Sequence, residues 1–185
     1  FERQNIIKIN LGLQVLDKRL DGFHNMKSIF VELNFYDILS FEPSKNFKLI
    51  CNNNKVPLDS SNTIFKAYHL LNEKFNFKTH YHITLNKNIP LESGLGGGSS
   101  NAACTIRALK NLLGLRVSSY LENKIALDIG SDVPFFLFGG LKLVKGRGDI
   151  IENIKNNNQL KNLKFLIVCP NFSISTKWAY GKLKK

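Results

Sequence analysis

One stretch, Pro90–Ala103 (PLESGLGGGSSNAA), constrains this chain more than any other. Its four glycines, Gly94, Gly96, Gly97 and Gly98, lie between two strongly patterned segments. Ahead of them, Thr79 to Asn86 alternates Tyr81, Ile83 and Leu85 with polar residues, as a half-buried strand does. Behind them, Ala102, Ile106, Leu109 and Leu113 recur at helical spacing, and Gly114 falls where a helix commonly stops. The sequence thus predicts a strand, a glycine turn and a helix N-terminus in succession. Without Cβ atoms the turn can take positive φ and approach a ligand closely. The unpaired N–H groups of the helix's first turn and the positive end of its dipole favour an anion such as phosphate. A flexible linker would not run directly into the helical pattern that starts at Ser99. Counting excludes two familiar phosphate loops. Walker A needs Gly-Lys-Ser/Thr, but Gly98 is followed by Ser99-Ser100, and G-x-G-x-x-G counted from Gly94 puts Ser99 at the last glycine.

Upstream, Ile7, Ile9, Leu11, Leu13 and Val15 alternate with polar residues, which predicts a strand with Lys8 and Asn10 on one face, roughly 6–7 Å apart. On alternation alone Lys8 reads as a solvated strand charge. Asp21-Gly22 signals a turn, followed by strand patterning over Met26–Leu33 and again over Ile38–Phe41. Phe47–Cys51 is a short strand candidate. Ser60-Ser61-Asn62 offers N-caps for a helix with an apolar stripe of Ile64, Ala67, Tyr68, Leu71 and Phe75. His80 and His82 share a strand face, but no Cys, Asp or Glu completes a ligand set, so they read as surface residues and no metal site is expected. Lys87 is either a nucleotide contact or a loop charge. Ser119-Tyr120-Leu121-Glu122 has capping-box spacing for a helix that Gly130 ends. Asp132, ahead of Val133-Pro134-Phe135-Phe136, reads by spacing as a helix N-cap. Phe165–Pro170 reads as a buried strand.

The glycine stretch resembles the ATP loop of the GHMP kinase superfamily, Pro-x-x-x-Gly-Leu-Gly-Ser/Gly-Ser-Ser-x-Ala, through Pro90, Gly94, Leu95, Gly96, Gly97 or Gly98, Ser99, Ser100 and Ala102. Lys8-Ile9-Asn10-Leu11-Gly12-Leu13, Asp21-Gly22-Phe23-His24 and Gly130-Ser131-Asp132-Val133-Pro134-Phe135-Phe136 are similar to segments of the branch whose acceptor is a methylerythritol alcohol carried on cytidine diphosphate. Phe23 stands where that branch usually has tyrosine, and Asp149, in Lys142–Asp149, where it has glutamate. The resemblance implies an ATP- and Mg²⁺-dependent kinase of a small-molecule alcohol. In it Asp132 would be the catalytic base and Lys8 would orient the hydroxyl. Pro90, Gly94, Leu95, Gly96, Gly97, Gly98, Ser99 and Ser100, with Asn62 and Lys87, would hold the nucleotide. Asn10, Phe23, His24 and Thr176 would meet the substrate beside Asp132. By spacing, Asn62 is equally a plain helix cap and a lone His24 is uninformative.

The implied fold class is α+β: a GHMP kinase N-terminal domain with a ribosomal-protein-like βα fold over residues 1–154, a linker at 155–164, and over 165–185 the start of a ferredoxin-like C-terminal domain that is cut short. Hydrophobic residues make up 43% of the 185, enough for a packed core and too many for a disordered chain. The net charge of +12 suits a polyanionic partner, though many lysines sit among asparagines, as in Lys155–Lys164, and solubilise a surface. A basic RNA-binding module is the rival from another class, and a GHMP kinase of homoserine or mevalonate the rival within this one. Against the first, no basic stripe is interleaved with aromatics and the glycine loop would have no role, so no nucleic-acid partner is expected. The most apolar run, Val133–Val144, is too short to span a bilayer, so no membrane is expected either. Cys51, Cys104 and Cys169 are odd in number and set in apolar patterns, as reduced core residues of a cytoplasmic protein would be.

Overall fold

A computed structural model describes residues 1–154, 163–170 and 176–182. The strands are β1 (Glu2–Lys18), β2 (His24–Ser44), β3 (Lys48–Cys51), β4 (His80–Asn86), β5 (Leu141–Gly146) and β6 (Ile150–Asn153). The helices are α1 (Thr63–Phe75), α2 (Gly97–Leu112), α3 (Ser119–Ile129), α4 (Val133–Phe138) and α5 (Thr176–Gly181). The strands form one mixed sheet in which only β3 and β4 run parallel. This is an α+β arrangement, as the sequence predicts. None of the described helices is long and apolar enough to cross a membrane.

The two strand patterns at Met26–Leu33 and Ile38–Phe41 belong to a single 21-residue strand, β2, which organises the sheet. One of its edges pairs with β1 from His24 to Ser40. Its other edge pairs with β5 over Met26–Val31 and with β4 over Ile38–Ser44. The helices cover one face, where Phe30, Leu39, Phe41, Ile83, Leu85, Ile106, Leu109 and Phe135 are buried together. Phe30 meets Phe135 of α4 edge-on, ring centroids 5.1 Å apart, an arrangement that adds to the burial of both rings.

A register shift at Ile6/Ile7 decides which side chains of β1 face the helices. Before it Asn5 does so, with its amide nitrogen 3.3 Å from Asn101 of α2. After it the parity changes and Lys8 does so, its ammonium 4.8 Å from the centre of the Phe30 ring. The apolar alternates are therefore not uniformly the core face the sequence suggested. Ile7 is buried in a second cluster with Ile89 and Leu95, against which Ile9, Leu33 and Ile167 pack, while Leu13 is 46% exposed. Lys8, read by alternation as solvated, is only 6% exposed.

Other expectations shift locally. The cap of α3 is Ser118, whose hydroxyl accepts from the Leu121 N–H, so the N-cap falls one residue before Ser119 and Leu121, not Glu122, takes the third helical position. Residues 165–170 form no strand: no described strand offers their backbone a partner, and Leu166 and Val168 stand exposed. Of the cysteines only Cys104 is a core residue, Cys51 being half-buried and Cys169 exposed. The proposed linker falls mostly outside the described residues, which resume at 163.

Candidate active site

A cleft of about 920 Å³ opens where β4 hands over to α2, with Asn62, Lys87, Pro90, Gly96, Ser99 and Asp132 among its lining. Its floor is the predicted glycine turn. Gly96 occupies the N-cap position of α2 with φ 75°, and no side chain caps the helix, which leaves first-turn N–H groups for an incoming anion. The turn also needs Gly96 for room, because a Cβ there would lie 2.8 Å from the Phe136 ring and 3.3 Å from Lys8 Cγ.

Lys8 stitches the turn to the sheet. Its backbone N–H donates to the Leu95 carbonyl (3.0 Å), and its ammonium donates to the Gly94 carbonyl (3.0 Å) and to Asn10 Oδ1 (2.7 Å). The same ammonium lies 3.6 Å from Asp132 Oδ2. Two unit charges at that separation attract by roughly 1 to 4 kcal/mol between water-like and surface-like dielectrics. Asn10 is fixed in turn: its amide donates to Ser28 Oγ, and Ser28 donates to the Gly12 carbonyl.

Asp132 holds the N-cap position of α4, as its spacing predicts, yet its side chain makes no cap bond. The carboxylate instead turns towards Lys8 and keeps 32% of its side-chain surface exposed. A charged group reachable from the cleft and held beside a buried cation can exchange a proton with a bound alcohol.

The remaining predicted residues divide by where they point. Gly94, Gly97, Gly98, Ser99 and Pro90 line the cleft. Leu95 and Ser100 do not: Leu95 is anchored between Ile7 and Ile89, and Ser100 is 3% exposed in the first turn of α2. Asn62 caps α1 by accepting from the Ile64 N–H and donating to the Pro57 carbonyl, which engages both ends of its amide at the cleft wall. Lys87 has its ammonium 2.8 Å from Asp37 Oδ2, and a Cβ on Gly97 would lie 3.2 Å from that nitrogen. His80 is more than a surface residue, since its Nδ1 is 2.6 Å from the hydroxyl of buried Tyr68.

Phe23 and His24 sit at the far end of the β1–β2 hairpin, with His24 opposite Lys18. The Phe23 ring is 48% exposed and carries the Arg147 guanidinium 5.4 Å above its centre. Arg147 belongs to the turn between β5 and β6, where its N–H donates to Asp149 Oδ1. That turn reaches back to Asp132, because a Cβ on Gly148 would lie 2.5 Å from the Ser131 carbonyl oxygen. The hairpin tip and the aspartate are thus joined through Arg147, Gly148 and Ser131. Thr176 begins α5, with its side chain outside the described structure, and Ser173 lies outside the described residues.

Sequence reasoning missed Asp37, Asn5, Asn101 and Glu32. Asp37 has no exposed surface and accepts from the N–H groups of Asn88 and Ile89 besides Lys87. An acid between Tyr36 and Ile38, inside an apolar strand pattern, was the available signal for it. Glu32 accepts from the Gly140 N–H at 2.6 Å, and its partial burial raises the carboxyl pKa against the pull of that hydrogen bond.

Residues 62–140 match the GHMP kinases N terminal domain. The chain is 45% identical over 175 residues to a 4-diphosphocytidyl-2-C-methyl-D-erythritol kinase of Thermoanaerobacter pseudethanolicus, covering 95% of this chain and 59% of that protein. It is 40% identical over 176 residues to the protein of the same name from Prosthecochloris aestuarii, covering 94% of this chain and 60% of the relative. A crystal structure of 4-(cytidine 5'-diphospho)-2C-methyl-D-erythritol kinase superposes with a TM-score of 0.71 at 33% identity, over 83% of this chain and 55% of that one. A homoserine kinase from Cytophaga hutchinsonii, at 21% identity, TM-score 0.63 and coverage of 98% and 61%, shares the fold. The chain therefore spans about three-fifths of the length of the curated relatives it matches.

Proposed function

Because residues 62–140 match the GHMP kinases N terminal domain, we propose that the protein transfers the γ-phosphoryl group of ATP to the 2-hydroxyl of 4-diphosphocytidyl-2-C-methyl-D-erythritol, a cytoplasmic step of the non-mevalonate isoprenoid pathway. The observation that carries this reading is the Lys8–Asp132 pair, 3.6 Å apart, beside the uncapped N-terminus of α2. Phosphoryl transfer asks the protein chiefly to position its reactants and offset negative charge. The N–H groups of the glycine turn receive the ATP phosphates. Asp132 accepts the proton of the 2-hydroxyl as its oxygen bonds to the γ-phosphorus and the bond to the ADP oxygen breaks. Lys8 holds the acceptor oxygen and balances the charge that grows on it. Asn10, Phe23 and His24 seat the cytidine diphosphate end, and the Phe23 ring needs no hydroxyl to stack on a base.

No described group of three His, Cys, Asp or Glu side chains could hold a metal unaided. The Ser99 hydroxyl at the cleft, together with the phosphate oxygens of the nucleotide, would suit Mg²⁺, a hard cation that takes oxygen ligands and binds beside substrate phosphates. Bound there, Mg²⁺ would neutralise phosphate charge during transfer.

The test follows ADP release by the protein with its natural termini, supplied with ATP and the cytidyl substrate, with Asp132→Asn beside the unsubstituted protein. Release that depends on the substrate and drops about 10²- to 10⁴-fold in the variant supports both the activity and the base. Turnover of homoserine or mevalonate instead sinks the substrate and keeps the family. Silence with every alcohol, together with steeply salt-dependent RNA binding, sinks the kinase reading.

A further inference from the structure

We propose that Glu32 is a positioning residue for this reaction, fixing the far end of α4 so that its near end presents Asp132 to Lys8. The proposal rests on the reading of Asp132 as the base. Glu32 lies directly across the β1–β2 ladder from Lys8, so the two residues ride on one rigid pair of strands. It grips Gly140 twice: its N–H donates to the Gly140 carbonyl at 3.3 Å, and its Oε2 accepts from the Gly140 N–H at 2.6 Å. The carboxylate is packed against the preceding residue as well, since a Cβ on Gly139 would lie 2.7 Å from Oε2.

Gly139 closes α4, its N–H donating to the Phe135 carbonyl, and Asp132 stands at the other end. The helix between them has six residues, a strut of about 9 Å at 1.5 Å per residue. A strut so short has little freedom to bend, so the point at which its C-terminus is held sets where its N-terminus falls. A closed frame results: Lys8, across the ladder to Glu32, to Gly140, along α4 to Asp132, and back over 3.6 Å to Lys8. Near-attack geometry is sensitive to displacements of about 1 Å, which can cost up to about a hundredfold in rate. Among the described residues the Glu32 carboxylate makes no other hydrogen bond, and Arg107 and Lys142 are the cations whose charges reach it.

Glu32→Ala and Glu32→Gln, in the protein with its natural termini, separate this role from simple support of the fold. The glutamine oxygen accepts the same N–H, whereas alanine removes it. Expected for Glu32→Ala is a kcat lowered about tenfold or more at an unchanged KM for ATP, with faster hydrogen exchange at residues 132–140 than in the sheet. Expected for Glu32→Gln is recovery of kcat to within about threefold and of the exchange pattern. An unchanged kcat in Glu32→Ala, a glutamine variant as slow as the alanine one, or a loss spread equally over kcat, KM and the thermal midpoint overturns the proposal. If the unsubstituted protein does not turn over the cytidyl substrate, the functional reading falls separately. The exchange comparison then decides alone: protection lost over 132–140 and restored by glutamine upholds the strut, and unaltered protection refutes it.

Discussion

Lys87 and Asp37 form an ion pair, 2.8 Å from nitrogen to oxygen, with 5% and 0% of their side-chain surfaces exposed, directly beneath the glycine turn. Asp37 also accepts from the N–H groups of Asn88 and Ile89, and Lys87 donates to the Ile89 carbonyl. The pair therefore ties β2 to the segment that leads from β4 into the turn. Its value lies in where it holds that segment, because desolvating two charges offsets much of their attraction.

Removing one partner exposes that cost. Asp37→Ala leaves a buried ammonium and two unpaired N–H groups, and is expected to lower unfolding free energy by about 3–5 kcal/mol. Lys87→Met in the Asp37→Ala background should restore part of it. Urea unfolding of the two variants measures both. A loss under about 1 kcal/mol for Asp37→Ala would mean that the pair holds nothing in place, since exposed pairs are worth that little.

Gly148→Ala tests the link between the β5–β6 turn and Asp132. Gly148 has φ 114°, and an added Cβ would meet the Ser131 carbonyl oxygen, a backbone atom that cannot swing aside. Backbone strain of this kind costs about 1–3 kcal/mol. The expected result is a lower thermal midpoint and a kcat reduced about tenfold, with ATP affinity unaltered, because the glycine turn is not touched. Equal losses in kcat and ATP affinity would point to general unfolding instead.

Alkaline pH should destabilise the fold. Burial pushes the Cys104 thiol from an ordinary 9.0 up to about 12, and burial likewise pushes the Tyr68 phenol from 10.0 up to about 12. In both cases the folded chain keeps a proton that the unfolded chain gives up. The stability is thus fully present below pH 9 and declines as pH rises from there through 12. Urea midpoints measured from pH 8 to 11 should fall over the upper part of that range, and less steeply in Cys104→Ala with Tyr68→Phe. A flat profile for the unsubstituted protein contradicts the assignment.

Much of this was legible in the residues. The strand–turn–helix around Pro90–Ala103 follows from glycine, period two and period 3.6, all of them local signals. Lys8 and Asn10 on one face followed from strand parity. That Lys8 is buried could not be read locally, because the apolar alternates of β1 suggest the opposite face as core, and Phe30, Asp132 and Gly94, which close over it, are distant in sequence. Spacing alone likewise gives Asp132 only as an N-cap, and it was the resemblance that set it beside Lys8, because its orientation depends on where α4 docks. Asp37 and Glu32 carry no motif at all. Their roles are set by backbone groups more than 50 residues away at Asn88 and Ile89 and 108 away at Gly140, and such partners leave no spacing signature.

The long β2 strand also sets an order of assembly. Its pairing with β4 joins Ile38 to Asn86, 48 residues on, whereas its pairing with β5 joins Met26 to Gly146, 120 residues on. Closing the longer loop costs more chain entropy before any contact repays it, and such topologies fold slowly. On a ribosome, β1, β2, β4 and α2 emerge well before β5 does. The glycine-turn end of the cleft can therefore form while the edge of β2 that will receive β5 is still bare. Glu32 has no Gly140 to hold until that strand arrives, so the end of the cleft that carries Asp132 is completed only after its glycine turn.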